Sequence, residues 1–140
     1  MGFTHRQLFQ KFMAPTSDAP LALEIIKAEG VYMYDAQGKS YMDLISGIAV
    51  SNVGHRNPAV VKAIKDQVDA YMHLMVYGEY IQSPQVQLAE ALVKSTGSEH
   101  LNQVYFTNSG TEAVEGAMKL AKRYTGRTEF ISCFNAYHGA

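Results

Sequence analysis

Residues 103–134 read QVYFTNSGTEAVEGAMKLAKRYTGRTEFISCF. Gln103 to Thr107, with β-branched and aromatic residues from Val104 on, suits a buried strand. Asn108-Ser109-Gly110 reads as a tight turn. From Thr111 to Tyr124, Val114, Ala117, Met118 and Ala121 recur on one face at helical spacing. Gly126 closes that helix, and Thr128 to Phe134 reads as a second strand. Strand, helix and strand at this spacing make a βαβ unit, which implies a parallel sheet and an α/β fold class.

Upstream, Leu8, Phe9, Phe12 and Met13 give a short helix within Thr4 to Met13, and Pro15 and Pro20 hold the following chain extended. Val31 to Tyr34 suits a strand, Asp35 to Gly38 a turn, and Lys39 to Leu44 a second strand, together a hairpin. Ser46-Gly47-Ile48-Ala49-Val50 then leads to Gly54-His55. Asn57-Pro58 is a helix start, Asn as N-cap and Pro at the first helical position. That helix should run to about His73. Val60, Val61, Ile64, Val68, Tyr71 and Met72 form its apolar stripe, and Lys62, Lys65, Asp66 and Asp69 face water. Ser83-Pro84 repeats the start signal, and Gly97 is the C-cap of the helix that follows.

A parallel sheet needs helices on both faces and usually more than two strands. Only two lie before Ala140, so the chain reads as the front portion of a larger α/β protein. Two regions are expected: residues 1–70 with the hairpin and a helix, and residues 71–140 as the incomplete first part of a large domain.

The composition excludes several classes. Of 140 residues, 47% are hydrophobic, and Gly and Pro number 11 and 4, so this is not a disordered chain. With 12 basic and 13 acidic residues the net charge is -1. No basic excess points to nucleic acid or an anionic membrane. No apolar run approaches the ~20 residues of a membrane helix, and the charge-interrupted N-terminus is not a signal peptide. The single cysteine, Cys133, makes no internal disulfide, and a reducing, cytoplasmic setting is expected. It falls inside the second strand and reads as core.

Asn108 to Ala113 is the first chemical candidate. A helix N-terminus presents unpaired N–H groups and the positive end of the helix dipole, which suit a phosphate. Gly110 admits an anion close to the backbone, and the Ser109 and Thr111 hydroxyls add hydrogen bonds. The position beyond the carboxyl end of a parallel strand is where open α/β sheets place ligands. Ser109 and Glu112 also make a capping box, which needs no ligand. Both readings hold together, because a cap fills one or two donors and leaves others free.

Tyr137-His138-Gly139 is the second candidate. It follows the next strand, where an aromatic face can stack on a flat cofactor and a histidine can titrate near neutrality. His55, in a loop entry, reads as structural. No Cys/His cluster has zinc spacing, and neither G-x-S-x-G nor G-x-x-x-x-G-K-[ST] occurs. Tyr71, Met72, Met75, Tyr77 and Tyr80 make a predicted loop rich in large side chains. It suits a core or a subunit interface.

Tyr105 to Ala121, followed by Tyr137-His138-Gly139, closely resembles the class III aminotransferases, pyridoxal-phosphate enzymes of fold type I. Gly30 to Asp43 resembles the family's N-terminal hairpin, and Ser46 to Val50 through Gly54-His55, Pro58 and Gln67 its next signature. The resemblance runs from about residue 8 to 140 in order. It implies that residues 71–140 open the large cofactor-binding domain. Ser109, Gly110 and Thr111 would hold the phosphate of pyridoxal 5'-phosphate, Tyr137 would stack on its ring, and His138 would stand beside it. Gly47 to Val50 and Met75 to Tyr80 would lie near the substrate or the seam of a homodimer. The implied reaction moves an amino group from an ω-amine or amino acid, such as acetylornithine, ornithine or 4-aminobutyrate, to a 2-oxo acid, 2-oxoglutarate. In the family, the Schiff-base lysine and the aspartate facing the pyridine nitrogen lie far downstream. Lys119 and Lys122, on the helix after the phosphate loop, replace neither. The chain alone is therefore expected to hold no catalytic lysine, no metal and no activity. Two alternatives are a glutamate-semialdehyde aminomutase-like enzyme and a non-catalytic remnant that binds phosphate or dimerises.

Overall fold

The computed structural model describes residues 2–75 and 78–137. Two compact units divide the chain, Met1–Leu74 and Met75–Ala140.

The first unit opens with helix α1 (His5–Phe12). Thr4 caps it with a reciprocal box: Thr4 Oγ1 accepts from Gln7 N–H at 3.3 Å, and Gln7 Oε1 accepts from Thr4 N–H at 2.9 Å. Three antiparallel strands follow in the order β1-β2-β3: β1 (Ile25–Glu29), β2 (Tyr32–Asp35) and β3 (Ser40–Met42). The β2–β3 hairpin is the one expected from the sequence. Its turn is held by Asp35, whose Oδ1 accepts from the N–H groups of Gln37 and Lys39 and whose Oδ2 accepts from the Tyr41 hydroxyl at 2.9 Å. Strand β1 is an addition to the sequence reading. It lies at the sheet edge with a register shift between Ile25 and Lys27, and its exposure does not alternate cleanly. A strand solvated on both faces carries no period-2 signal.

Beyond β3 the chain makes a single turn, α2 (Ser46–Ala49), with φ near +60° at all four residues: Ser46 54°, Gly47 61°, Ile48 60° and Ala49 59°. For the three that carry a Cβ this left-handed conformation costs roughly 1–2 kcal/mol each. The next turn brings Gly54 against Gly30. A Cβ at Gly54, where φ is +81°, would lie 3.1 Å from the Gly30 carbonyl oxygen, so any other residue is strained here. Helix α3 (Pro58–Ala70) starts as read from the sequence, with Asn57 Oδ1 accepting from Ala59 and Val60 N–H. It ends three residues before His73, because Tyr71 turns to extended backbone.

In the second unit, α4 (Ser83–Thr96) ends at a left-handed Gly97. Ser83 is its first helical residue and not its cap: Gln82 takes the cap position without a side-chain bond. The Ser83 Oγ accepts instead from Gln87 Nε2 at 2.8 Å. Helix α5 (Gly110–Thr125) is capped by Ser109 and closed by Gly126.

The expected strands at 103–107 and 128–134 carry no ladder. A strand exists through its neighbour's hydrogen bonds, and these two segments do not pair with each other. Cys133 accordingly stands exposed and is not the core residue expected. Among the described residues no hydrophobic side chain is buried. The apolar stripe of α3 stands open, with Val60, Ile64 and Val68 each about half exposed. Among the described residues no helix is long and apolar enough to cross a membrane.

Candidate functional site

The loop before α5 is built by local chemistry. Ser109 has extended backbone, and its Oγ accepts from Glu112 N–H at 3.2 Å. Its carbonyl takes the first helical bond, from Ala113 N–H at 3.0 Å. Glu112 reaches back one residue further than a capping box requires: its Oε2 accepts from Asn108 N–H at 2.7 Å. Thr107 Oγ1 donates to the Ser109 carbonyl at 3.2 Å. The cap therefore uses one donor of the terminus and leaves others for a ligand. Among the described residues, the N–H groups of Gly110 and Thr111 have no acceptor. The Ser109 hydroxyl proton is not used by the cap, because the oxygen acts there as acceptor. A Cβ built on Gly110 would meet nothing within 4 Å, so the space beside Gly110 is open among the described residues.

These groups fit a phosphate monoester. Two backbone donors and two hydroxyls stand in the first residues of a 16-residue helix, at its positive end. The Glu112 carboxylate opposes an anion there, and one of its oxygens is already engaged by the Asn108 N–H.

Tyr137 is the last described residue, and its side chain is exposed. The pair of parallel strand ends expected to bring it to the helix terminus is not formed by residues 103–107 and 128–134. His138 lies outside the described residues, as do Val76 and Tyr77 of the aromatic loop. Lys119 pairs with Glu115 on an exposed face of α5, and the Lys122 ammonium lies 5.5 Å from the Phe130 ring centre.

A second polar centre was missed in the sequence. Asp43 Oδ1 accepts from the N–H groups of Ile45 at 3.1 Å and Ser46 at 2.8 Å, and its Oδ2 lies 2.7 Å from His55 Nε2. The N–H of Ser46, then His55, hold the Asp43 carboxyl below the usual carboxylate range, against the opposing effect of burial. His55 exchanges two backbone hydrogen bonds with Gly30, at 2.7 and 3.0 Å. The structural role read for His55 is observed, with a partner twelve residues away. The signal available was Asp43 directly after a strand, placed to accept from the N–H groups two and three residues on.

The model of the family described as aminotransferase class-III matches residues 12–140. This chain belongs to the class III aminotransferases. Similar proteins include the acetylornithine aminotransferase of Methanopyrus kandleri, 42% identical over 135 residues, 96% of this chain and 33% of that one. Among solved structures, the adenosylmethionine-8-amino-7-oxononanoate aminotransferase of Methanocaldococcus jannaschii superposes with a TM-score of 0.86 at 33% identity, over 96% of this chain and 33% of that one. The taurine:2-oxoglutarate aminotransferase of Bifidobacterium kashiwanohense, in complex with PLP and glutamate, gives 0.81 at 35% identity, over 94% and 30%. The fold is thus that of the fold type I, α/β aminotransferases. The class III chain spans about a third of the length of the curated relatives it matches. The cofactor that goes with this family is pyridoxal phosphate.

Proposed function

We propose that this chain is the N-terminal, phosphate-gripping portion of an aminotransferase that moves an amino group from an ω-amine or amino acid to 2-oxoglutarate. Acetylornithine, ornithine and 4-aminobutyrate are the donors to try first. The observation that carries the reading is the terminus of α5. Behind a capped Ser109, the Gly110 and Thr111 N–H groups lack an acceptor among the described residues, in a chain of a pyridoxal-phosphate family.

When bound, pyridoxal phosphate supplies an electron sink for the substrate's amino carbon. The chain's own residues grip and orient. Gly110 and Thr111 donate backbone N–H groups to the phosphate, and the Ser109 and Thr111 hydroxyls donate beside them. Tyr137 stacks on the ring, with His138 next to it. Residues 1–70 form the N-terminal segment, and residues 71–140 begin the large cofactor domain. The full-length protein works as a cytoplasmic homodimer.

The covalent anchor and the carboxylate facing the ring nitrogen are supplied from outside residues 1–140. A nucleophilic lysine needs a desolvated or specifically activated amine. Lys119 sits on an exposed helix face beside a carboxylate, which is the wrong setting.

Two measurements test this. The full-length protein, incubated with each donor and 2-oxoglutarate, should form glutamate. The 140-residue chain, mixed with pyridoxal phosphate and reduced with borohydride, should show no single lysine labelled above the others by peptide mapping. One specifically labelled lysine together with turnover by the short chain would refute the assignment of the anchor elsewhere.

A further inference from the structure

Glu112 is the third residue of α5, and its side chain departs from the usual cap. In a capping box the residue at this position accepts from the N–H of the cap residue itself. Here Glu112 Oε2 passes Ser109 and accepts from Asn108 N–H at 2.7 Å, while its own N–H donates to Ser109 Oγ at 3.2 Å. A standard box would have occupied the Ser109 N–H. Among the described residues that group has no acceptor, so Ser109, Gly110 and Thr111 present three consecutive unpaired N–H groups. The chain that carries them is tied at both residues before the helix. Asn108 is held by the Glu112 carboxylate. The Ser109 carbonyl accepts from Thr107 Oγ1 at 3.2 Å and from Ala113 N–H at 3.0 Å.

The negative charge of Glu112 works against an anion at this terminus, whereas its hydrogen bond works in favour of one. A loop that must be ordered when its ligand arrives loses affinity, and a loop already tied loses less. We propose that Glu112 is a positioning residue for the cofactor phosphate. By holding Asn108 in place of Ser109, its carboxylate orders the loop and keeps the N–H groups of residues 109–111 available together.

The proposal rests on the reading of the α5 terminus as a phosphate grip, and the experiment separates the two. The full-length protein is prepared free of cofactor as wild type, Glu112→Gln and Glu112→Met. Gln keeps an oxygen that accepts from Asn108 N–H. Met is unbranched, has a similar helix propensity and offers only a weakly accepting thioether. Pyridoxal phosphate, inorganic phosphate and pyridoxal, which lacks the phosphate, are titrated against each protein. Glu112→Gln should bind pyridoxal phosphate within about threefold of wild type. Glu112→Met should bind it about tenfold more weakly than Glu112→Gln, the effect of one hydrogen bond, and inorganic phosphate should follow the same order. Pyridoxal should bind all three proteins alike. In the cofactor-free proteins the Asn108 amide should exchange slowly in wild type and Glu112→Gln and fast in Glu112→Met. A lowered melting temperature in Glu112→Met with unchanged phosphate affinities would make Glu112 a helix cap alone and overturn the proposal. Equal losses for pyridoxal and pyridoxal phosphate would overturn it too, as would an Asn108 amide equally protected in both variants. If Glu112→Met does not fold, Glu112→Ala, with the best helix former, takes its place under the same expectations. If wild type binds both phosphate ligands and the variants bind them alike, the proposal alone fails. If wild type binds neither, the reading of the terminus fails and the proposal with it.

Discussion

At the residue scale, Ser109 carries two roles that substitutions can separate. As N-cap its oxygen accepts from Glu112 N–H, and Ser→Ala at such a position costs about 1 kcal/mol. In the proposed cradle the same hydroxyl donates to a phosphate oxygen. Ser109→Asp keeps an N-cap of equal rank and places an anion against the phosphate. Ser109→Asp should therefore hold stability within about 0.5 kcal/mol while weakening pyridoxal phosphate binding at least about tenfold. Ser109→Ala should lose on both counts. Thermal unfolding and a cofactor titration on the full-length protein read the two effects apart.

Asp43 is the other residue with a definite expectation. Hydrogen bonds from Ser46 N–H and His55 depress its carboxyl, so the folded chain binds that proton less readily than the unfolded chain. The stabilisation is fully present above the ordinary carboxylate range and is lost as the pH falls through the lower, folded value. Protection of the Ser46 amide from exchange should thus fall away on the acid side. In Asp43→Asn that acid step should be absent, leaving a uniformly weaker turn. An identical acid profile in both proteins would show that Asp43 does not control the turn.

At the scale of elements, helices and ladders behave differently. Helix α5 keeps its start, its cap and its left-handed Gly126 end, because each contact spans only three or four residues. The segments 103–107 and 128–134 have strand composition and no ladder. Their backbone N–H groups need neighbours that the described residues do not supply. In the 140-residue chain the amides of Val104 to Phe106 should exchange at nearly unprotected rates. In the full-length protein they should be slowed by roughly two orders of magnitude or more, as core strands are. Equal protection in both would mean that the short chain completes its own sheet.

At the scale of the whole molecule, the exposed apolar surface is the dominant property. Ile131, Phe134, Tyr124, Met72 and Ile81 all stand more than four-fifths exposed, and a fully buried side chain of this kind contributes about 1.5–3 kcal/mol. The isolated 140-residue chain should bind a hydrophobic dye and self-associate. In the full-length protein the Met72 to Tyr80 segment should be covered by a second subunit. Hydrogen exchange of that segment at concentrations above and below the dimer dissociation constant checks this. Unchanged exchange across the transition would remove it from the seam.

Sequence by itself determined α1, α3, α4, α5 and the β2–β3 hairpin. Each is specified by partners within a few residues: the Thr4 and Gln7 box, the Asn57-Pro58 start, the Ser109 cap, and Asp35 clasping its own turn. The terminus of α5, where the proposed phosphate cradle lies, was legible for the same reason. The motif order from the hairpin to Tyr137 was enough to place the chain among the class III aminotransferases. Tertiary structure decided the rest. Strand β1 exists because β2 is beside it, and its solvated faces leave no periodicity to read. The Asp43–His55 contact and the left-handed α2 join residues twelve apart through a carboxylate whose geometry no spacing rule encodes. Residues 103–107 and 128–134 have the composition of strands, yet a ladder is a property of two backbones and not of one.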